Sequence, residues 1–275
     1  MIDGYDTAAP TGPLARLRMS DHTYMVLLAV IVGCLGGFGA VGFRFLIKAL
    51  HAVAWGHWEY GLDVVRSHPW WWIVLIPTLG GAIVGPFVHF FAREATGHGV
   101  PEVMEAVAIN SGFIRARVVF VKSLASAICI ASGGSVGREG PIVQIGSALG
   151  STIGQWLHVS GRRLRTLAGC GAAAGIAATF NAPVAGALFA VEIILGDFGV
   201  TQFSPIVISS VIATVVSRHF LGDFPAFEVP VYGMRSPWEL PIYLVLAGVT
   251  ALVAASFIKS LYALEDFCDR LPIRP

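Results

Sequence analysis

Residues 171–192 read GAAAGIAATFNAPVAGALFAVE, and this stretch decides the fold. It is almost entirely apolar, and Asn181 and Pro183 divide it into segments at about 166–179 and 183–195. Each segment is shorter than the roughly 20 residues that a helix needs to cross a bilayer. Short, interrupted helices are tolerated at membrane depth where they are buried in protein or line a cavity. The stretch therefore predicts broken helices packed inside a larger membrane protein.

The same pattern continues outward from this stretch in both directions. Further short apolar segments, punctuated by Gly, lie at about 100–109, 118–132, 141–157 and 205–221. Segments long enough to span a membrane lie at about 25–50, 70–91 and 240–262. In the first of these, Gly33 and Gly37 form the small-xxx-small pattern of closely packed membrane helices. Discontinuous helices commonly point their N-termini at a bound ion, so the pattern is a first indication of transport.

The composition indicates lipid as the main solvent. Of the 275 residues, 55% are hydrophobic and 13% are charged, against about 25% charged in a typical soluble domain. The net charge of +1 offers no basic field for a nucleic acid. The cysteines lie far apart without the ligand spacing of a zinc site, so we interpret them as packing residues and expect neither a metal nor a cofactor; they are Cys34, Cys129, Cys170 and Cys268.

These segments predict an all-α, polytopic membrane protein with broken or tilted helices. The positive-inside rule favours a cytosolic N-terminus, because the cations then sort to one side; they include Arg16, Arg18, Arg93, Arg115, Arg117, Lys122, Arg162, Arg163 and Arg165. We therefore expect a cytosolic segment at 1–23, a membrane region at 24–221, an external loop at 222–238, a further helix at 239–262 and a cytosolic tail at 263–275. The expected location is the plasma membrane or inner membrane, with lipid as a partner.

Two Gly-rich boxes place Gly and Pro next to the start of an apolar helix. They read GHGVP at 97–101 and GREGP at 137–141. A helix N-terminus carries unpaired N–H groups and about half a positive charge, which suits an anion. Two such ends together would hold a small anion without a full cation.

Glu139 lies within otherwise apolar sequence, where a carboxylate is costly and is functional by default. It can act as a tethered anion at the helix start until a free anion displaces it or a proton neutralises it. An ion pair with Arg138 at a membrane surface is the alternative interpretation of this residue.

These boxes, with VQIG at 143–146 and the stretch at 171–192, resemble the N-terminal half of the CLC family of anion channels and proton-coupled anion exchangers. The resemblance extends over about residues 24–262. It implies a fold of two inverted repeats, of which this chain would supply the first repeat and one helix of the second. It also implies transport of chloride or another small anion, and a homodimer in the complete protein.

The resemblance assigns roles to the residues of both boxes. The glutamate of GREGP is the external gate in this family, which implies that role for Glu139. Backbone amides at the starts of two helices bind the anion. In this chain those amides lie near Gly99 and near Gly140 and Ile142. The implied anion-binding residues are His98, Gly99 and Val100 in the first box, and Gly137, Arg138, Gly140, Pro141 and Ile142 in and after the second.

Two positions depart from the family pattern. His98 stands where the family usually has a serine that contacts the central anion. An imidazole N–H can also donate to an anion, so His98 is a candidate ligand, with packing in the loop as the alternative. Ile193 stands where proton-coupled members carry an internal proton glutamate. This difference favours channel-like conduction, whereas an H+/anion antiporter is the alternative and could use the neighbouring Glu192 as its internal proton path.

Two other classes of protein compete with a transporter. GGSVG at 133–137 matches the GxSxG motif of serine hydrolases, but that motif needs a preceding strand, and residues 118–131 have a helical, apolar pattern. We therefore expect no enzyme. An incomplete half-protein, inactive on its own, is the second alternative, because these residues lack the family's later anion-binding box and pore tyrosine.

Overall fold

The computed structural model describes residues 20–58, 61–91, 97–197, 199–223, 230, 233–234 and 236–270, and within these it contains helices and turns but no strand. The all-α class expected from the sequence is confirmed. The chain divides between Ala226 and Phe227 into two compact units. Residues 1–19, most of 224–235 and residues 271–275 lie outside the described part, so the expected N-terminal segment and external loop stay predictions. The tail expected at 263–275 is helical as far as Asp269, because the last helix continues past residue 262, and its cytosolic position stays a prediction.

The first unit contains nine α-helices and one π-helical turn within its described residues. They are α1 (Asp21–Trp55), α2 (Leu62–Arg66), α3 (Trp70–Phe91), α4 (Val100–Ala108), α5 (Arg117–Ala131), α6 (Glu139–Trp156), α7 (Gly161–Phe180), α8 (Pro183–Phe189), the π-helical turn (Ala190–Leu195) and α9 (Val200–Leu221). The second unit contains α10 (Glu239–Asp269). With nine and seven residues, α4 and α8 confirm the expected short, interrupted helices.

Among the described residues, four helices are long and apolar enough to cross a membrane by length and composition. They are Asp21–Trp55, Trp70–Phe91, Thr201–Leu221 and Glu239–Cys268. The sequence predicts a short segment at 205–221, and this prediction is wrong. Pro205 lies inside α9 rather than at its start, so the helix begins at Val200 and reaches 22 residues.

Local chemistry sets the ends of the helices. The Ser20 hydroxyl accepts a hydrogen bond from the Thr23 amide at 3.3 Å and caps the start of α1. Gly56 ends α1 with a left-handed φ of 73°. Asn181, with φ of 57°, ends α7 in the same way, and Pro183 then begins α8. The break read from the FNAP sequence is therefore a helix end followed at once by a helix start.

Backbone contact between α6 and α7 forms the centre of the first unit. A Cβ atom added to Gly171 would lie 1.9 Å from the carbonyl oxygen of Gly146, and one added to Gly146 would lie 2.2 Å from that of Gly171. One turn further along α6, a Cβ atom on Gly150 would lie 2.0 Å from the carbonyl oxygen of Leu167. No side chain fits between helices at this separation, and residues 167–178 of α7 are buried throughout.

Small residues also allow α1 to pack closely against α7 and α9. A Cβ atom on Gly33 would lie 2.6 Å from the carbonyl oxygen of Ser209 in α9, and one on Gly36 would lie 2.6 Å from the Cβ of Ala174 in α7. A Cβ atom on Gly37 would lie 3.0 Å from the carbonyl oxygen of Ala213. The pattern that predicted close packing for α1 is confirmed.

We expect Gly171→Ala to destabilise the first unit, because its new methyl group must push α6 away from α7. Overpacking of a close-packed site costs about 1–3 kcal/mol, and backbone atoms cannot move aside as a flexible side chain can. Thermal unfolding of the purified protein in detergent measures the effect. Gly42→Ala is the matched control, since a Cβ atom there meets nothing within 4 Å. Equal unfolding temperatures for the two variants would contradict a close backbone contact between α6 and α7 at Gly171.

Candidate functional site

The two Gly-rich boxes lie against each other through their backbones. A Cβ atom on Gly140 would lie 1.8 Å from the carbonyl oxygen of His98, and one on Gly99 would lie 2.4 Å from the carbonyl oxygen of Gly140. The starts of α4 and α6 therefore lie side by side. The sequence predicted that both boxes serve one site, and it gave no direct sign of this contact.

The carboxylate of Glu102, a residue of α4 itself, caps the start of this helix. Gly99 has a φ of 99°, in the left-handed region that favours glycine. Its amide donates a hydrogen bond to Glu102 Oε2 at 2.7 Å. A Cβ atom on Gly97 would also strike this carboxylate, 1.6 Å from Oε1. The anion-binding role expected for the Gly99 amide stays a prediction, and it requires Glu102 to release that amide.

Lys122 supports the same loop from α5. Its side chain is buried, with 4% exposed, and its ammonium donates to the carbonyl oxygen of Gly97 at 2.8 Å. It also interacts electrostatically with Glu102. Sequence reasoning grouped Lys122 with the cytosolic loop cations and did not single out Glu102. A lone lysine within the apolar segment 118–132 was the available signal, because buried lysines need a partner.

The start of α6 is more open. By helix geometry, the amides of Glu139 and Gly140 have no acceptor within the helix, and Pro141 has no N–H. The Ile142 amide donates to the Arg138 carbonyl oxygen at 3.1 Å and closes the first turn. The donors at this end are thus the first two amides, while the role expected for the buried Ile142 stays a prediction.

Glu139 is exposed, and its carboxylate folds back over its own loop. A Cβ atom on Gly137 would lie 1.8 Å from Glu139 Oε2. The structure thus places the carboxylate next to the GREGP backbone at the first residue of α6. This position is compatible with a tethered anion, and the gating role itself stays a prediction.

Arg138 links the start of α6 to the end of α7. Its guanidinium carbon lies 5.9 Å from the centre of the Phe180 ring, within the range of a cation–π contact. The next residue, Asn181, accepts a hydrogen bond from Arg218 Nε at 2.6 Å and donates one to Asp223 at 2.8 Å. The FNAP corner is therefore held beside the GREGP box by charged and aromatic groups.

The remaining candidate residues lie at the start of α4 and on the π-helical turn. His98 is exposed in its loop, and no hydrogen bond of its ring occurs among the described residues; Val100 is half-buried at the first position of α4. Glu192 and Ile193 are both exposed on the π-helical turn, which packs against α4. Single π-helical turns inside helices are frequent at functional sites. No contact places Glu192 beside the two boxes in the described part of the chain.

The serine motif does not have the surroundings that a hydrolase requires. Ser135 follows α5, a 15-residue helix, and not a strand. A nucleophile elbow places its serine on a sharp turn between a strand and a helix. The helical interpretation of residues 118–131 is confirmed.

A cavity with a mostly apolar lining and a few polar side chains extends along α4 and α6. Its volume is about 610 Å³, and its lining includes Glu102, Gln144, Gln155 and His158. Glu102, which caps the start of α4, is one of its lining residues. The cavity offers room for water and small ions next to this helix.

We expect Glu102→Ala to destabilise the protein, because the Gly99 amide and the buried Lys122 both lose a partner. A lost helix cap costs about 0.5–2 kcal/mol, and Lys122 additionally loses its electrostatic interaction with Glu102. Thermal unfolding in detergent measures the loss. Glu105→Ala is the control, because Glu105 lies on the same helix and is exposed. Similar unfolding temperatures for the two variants would show that the Glu102 cap does not stabilise the protein.

Comparison with known proteins places this site in a family. A family model described as voltage gated chloride channel matches residues 80–275. A putative chloride channel protein ClcB-like from Ralstonia nicotianae is 35% identical over 246 residues, covering 86% of this chain and 56% of that protein. An H(+)/Cl(−) exchange transporter ClcA from Cronobacter sakazakii is 32% identical over 268 residues, covering 94% of this chain and 56% of that protein.

Solved structures share the fold. A slow cyanobacterial Cl−/H+ antiporter matches with a TM-score of 0.77 and 22% identity, covering 92% of this chain and 60% of that one. A CLC-type fluoride/proton antiporter matches with a TM-score of 0.75 and 23% identity, covering 91% and 60%. The chain spans a little over half of the length of the two bacterial relatives. Because the family model covers well over half of the residues, the chain belongs to the voltage-gated chloride channel family, the CLC family of membrane channels and transporters.

Proposed function

We propose that this chain supplies one half of a transmembrane pathway for small inorganic anions, with chloride as the first candidate. The observation that carries the proposal is the backbone contact between Gly99 and Gly140, since it brings two helix starts to one point. The start of α6 contributes a partial positive charge, which stabilises an anion without a cationic side chain, and the start of α4 forms the adjacent wall. Membership of the CLC family supports the same function.

The two helix starts have unequal roles in this proposal. The α6 start offers the amides of Glu139 and Gly140 to the anion. At the α4 start, the Gly99 amide is held by Glu102, and the buried Lys122 sets the position of the loop. The anion site is therefore built mainly on α6, with α4 as a fixed wall. His98, exposed on that wall, is the side chain placed to tune which anion binds.

Glu139 is the proposed gate. Its side chain leaves the first residue of α6, so rotation of that side chain alone can move the carboxylate onto or away from the helix start. A competing anion displaces it by mass action, and a proton removes its charge. Both routes open the site without movement of the helices.

The proposed pathway is channel-like more than proton-coupled. Ile193 cannot carry a proton at the position of the internal glutamate, which supports uncoupled conduction. The alternative is an H+/anion antiporter, and the exchanger name of the Cronobacter sakazakii relative favours it. In that case the exposed Glu192 on the π-helical turn is the candidate internal proton residue. Proton movement driven by a chloride gradient distinguishes the two mechanisms.

We also propose the assembly and location that accompany this function. The complete protein is a homodimer in the plasma membrane or inner membrane, with lipid around its apolar helices. Because one helix repeat offers donors from one side of an anion site, the 275 residues alone are not expected to conduct. Measurements of flux therefore use the chain alone and the chain fused to the second repeat of a bacterial relative.

We expect Glu139→Gln to remove most of the pH dependence of anion flux, because glutamine keeps the shape of the gate and has no proton to gain. Chloride efflux from liposomes, measured from acidic to neutral pH, is the readout. Glu105→Gln is the control, since it removes a carboxylate elsewhere on the adjacent helix. A pH profile that Glu139→Gln leaves unchanged would rule out this residue as the gate.

We expect His98→Ser to change the relative permeability of halides and nitrate by about 1 kcal/mol, the size of one hydrogen bond. The imidazole donor and the hydroxyl donor differ in reach and in charge, so anions of different size are affected unequally. Reversal potentials or competitive efflux give the selectivity. His22→Ser, at the exposed start of α1, is the control. Identical selectivity in wild type and His98→Ser would mean that the ring serves packing in the loop.

A further inference from the structure

Five arginines lie in two segments of the first unit that pack against each other. The loop between α4 and α5 and the residue that begins α5 carry two of them, and the first turns of α7 carry the other three. We call these residues the arginine patch; they are Arg115, Arg117, Arg162, Arg163 and Arg165. Arg163 is half-buried, and the other four are exposed. The sequence predicts that these cations lie on the cytosolic side, but it does not predict that the two segments meet.

Backbone contact joins the two segments of the patch. Gly112 in the loop has a φ of 82°, and a Cβ atom there would lie 2.8 Å from the Arg165 nitrogen and 3.0 Å from the carbonyl carbon of Leu164. Ser151 of α6 also holds the loop, because its hydroxyl donates to the Gly112 carbonyl oxygen at 2.7 Å and accepts from the Ile114 amide at 2.9 Å. The arginines are therefore attached to a fixed backbone, and a ligand that they bind does not have to order the loop.

The arginine patch carries more positive charge than the protein around it neutralises. Arg163 pairs with Asp21 at 2.9 Å. Within the part of the chain that the structure describes, the side chains of Arg162 and Arg165 make no ion pair and no hydrogen bond. The two loop arginines interact with other groups of the protein. The exposed charges of Arg162 and Arg165 are thus the ones that a ligand can neutralise.

The arginine patch lies at the level where a membrane span begins. The first helix that is long and apolar enough to cross a membrane starts at Asp21, and Arg163 contacts that residue. The Arg163 guanidinium carbon also lies 5.8 Å from the centre of the Tyr24 ring. Trp156, at the end of α6 and just before the turn into α7, is 76% exposed. Tyr and Trp are enriched at the membrane–water interface, at the depth of the lipid headgroups. The patch therefore lies where lipid phosphates lie.

An anionic phospholipid has the chemistry that matches this patch. Its phosphate accepts charge-assisted hydrogen bonds from guanidinium groups, and its headgroup carries no positive charge of its own. Clusters of basic residues at the cytosolic end of a membrane span attract such lipids. We propose that the arginine patch binds the headgroup of an anionic phospholipid of the cytosolic leaflet, with Arg162 and Arg165 as the main phosphate contacts. The proposal uses no residue of the anion site, so it is independent of the transport function proposed above.

Lipid binding to the wild-type 275-residue protein in detergent tests the proposal. Native mass spectrometry separates the protein with and without bound lipid, so a titration gives a dissociation constant. The probes are phosphatidylglycerol and phosphatidylcholine with identical acyl chains, which differ in the net charge of the headgroup. We expect phosphatidylglycerol to bind about 30-fold more tightly, because each of two arginines contributes about a fivefold factor toward an anionic lipid.

Three double variants separate a specific patch from general charge effects. Arg162→Gln with Arg165→Gln should weaken the binding of phosphatidylglycerol by about 30-fold and change that of phosphatidylcholine little. Lys48→Gln with Arg66→Gln is the matched control, because it removes two positive charges toward and beyond the opposite end of α1. This control should bind both lipids as wild type does. Arg162→Lys with Arg165→Lys keeps both charges and should recover most of the lost affinity, since an ammonium also binds phosphate.

Several results would overturn the proposal. These are equal affinity of wild type for the two lipids, an equal loss in the control variant, and a lysine variant as weak as the glutamine variant. Glycerol 3-phosphate tests whether the phosphate comes from a lipid, because it carries the phosphate group without acyl chains. At the same concentration as the lipid it should not displace phosphatidylglycerol, and displacement would assign the patch to a soluble phosphate instead.

Discussion

The contact between the backbones of α6 and α7 is the constraint on which the rest of the structure depends. Gly146 and Gly171 each approach the other's carbonyl oxygen so closely that no Cβ atom fits. This contact fixes the axis of α6, and therefore the point at which its first amides are presented. Since the Phe180 ring at the end of α7 lies against Arg138, the same contact sets the position of the GREGP box. The polar site is thus positioned by packing, and the charged groups around it add to a geometry already determined.

The two helix starts at the site differ in how their free N–H groups are satisfied. At α4, a carboxylate of the helix itself accepts from the Gly99 amide, and a buried lysine supports the loop. At α6, the first carboxylate lies back over Gly137, and the Glu139 and Gly140 amides have no acceptor within the helix. A closed end is rigid, and an open end can exchange ligands. An ion pathway needs both properties, because a binding point that moves loses its selectivity and one that is fully satisfied binds nothing.

The sequence predicted the class of fold, the short helices and the break at Asn181 and Pro183, because each depends on local composition. It predicted the two boxes as candidate parts of one site for the same reason. It could not predict the contact of Gly99 with Gly140, the burial of Lys122 or the capping by Glu102, since these arise from packing between segments far apart in the chain. The prediction began this segment at 205, whereas α9 begins at Val200 and Pro205 lies inside it.

The glycines between α6 and α7 also have a consequence for inheritance. Every amino acid other than glycine carries a Cβ atom, so any missense change in the codon of Gly146, Gly150 or Gly171 inserts an atom where a carbonyl oxygen already lies. Codon degeneracy gives no milder alternative at these positions. At Glu139, by contrast, several missense changes yield side chains that the exposed position can hold. Alleles that prevent folding should therefore map to the contact between α6 and α7. Alleles that leave the protein folded but change its activity should map to the GREGP box.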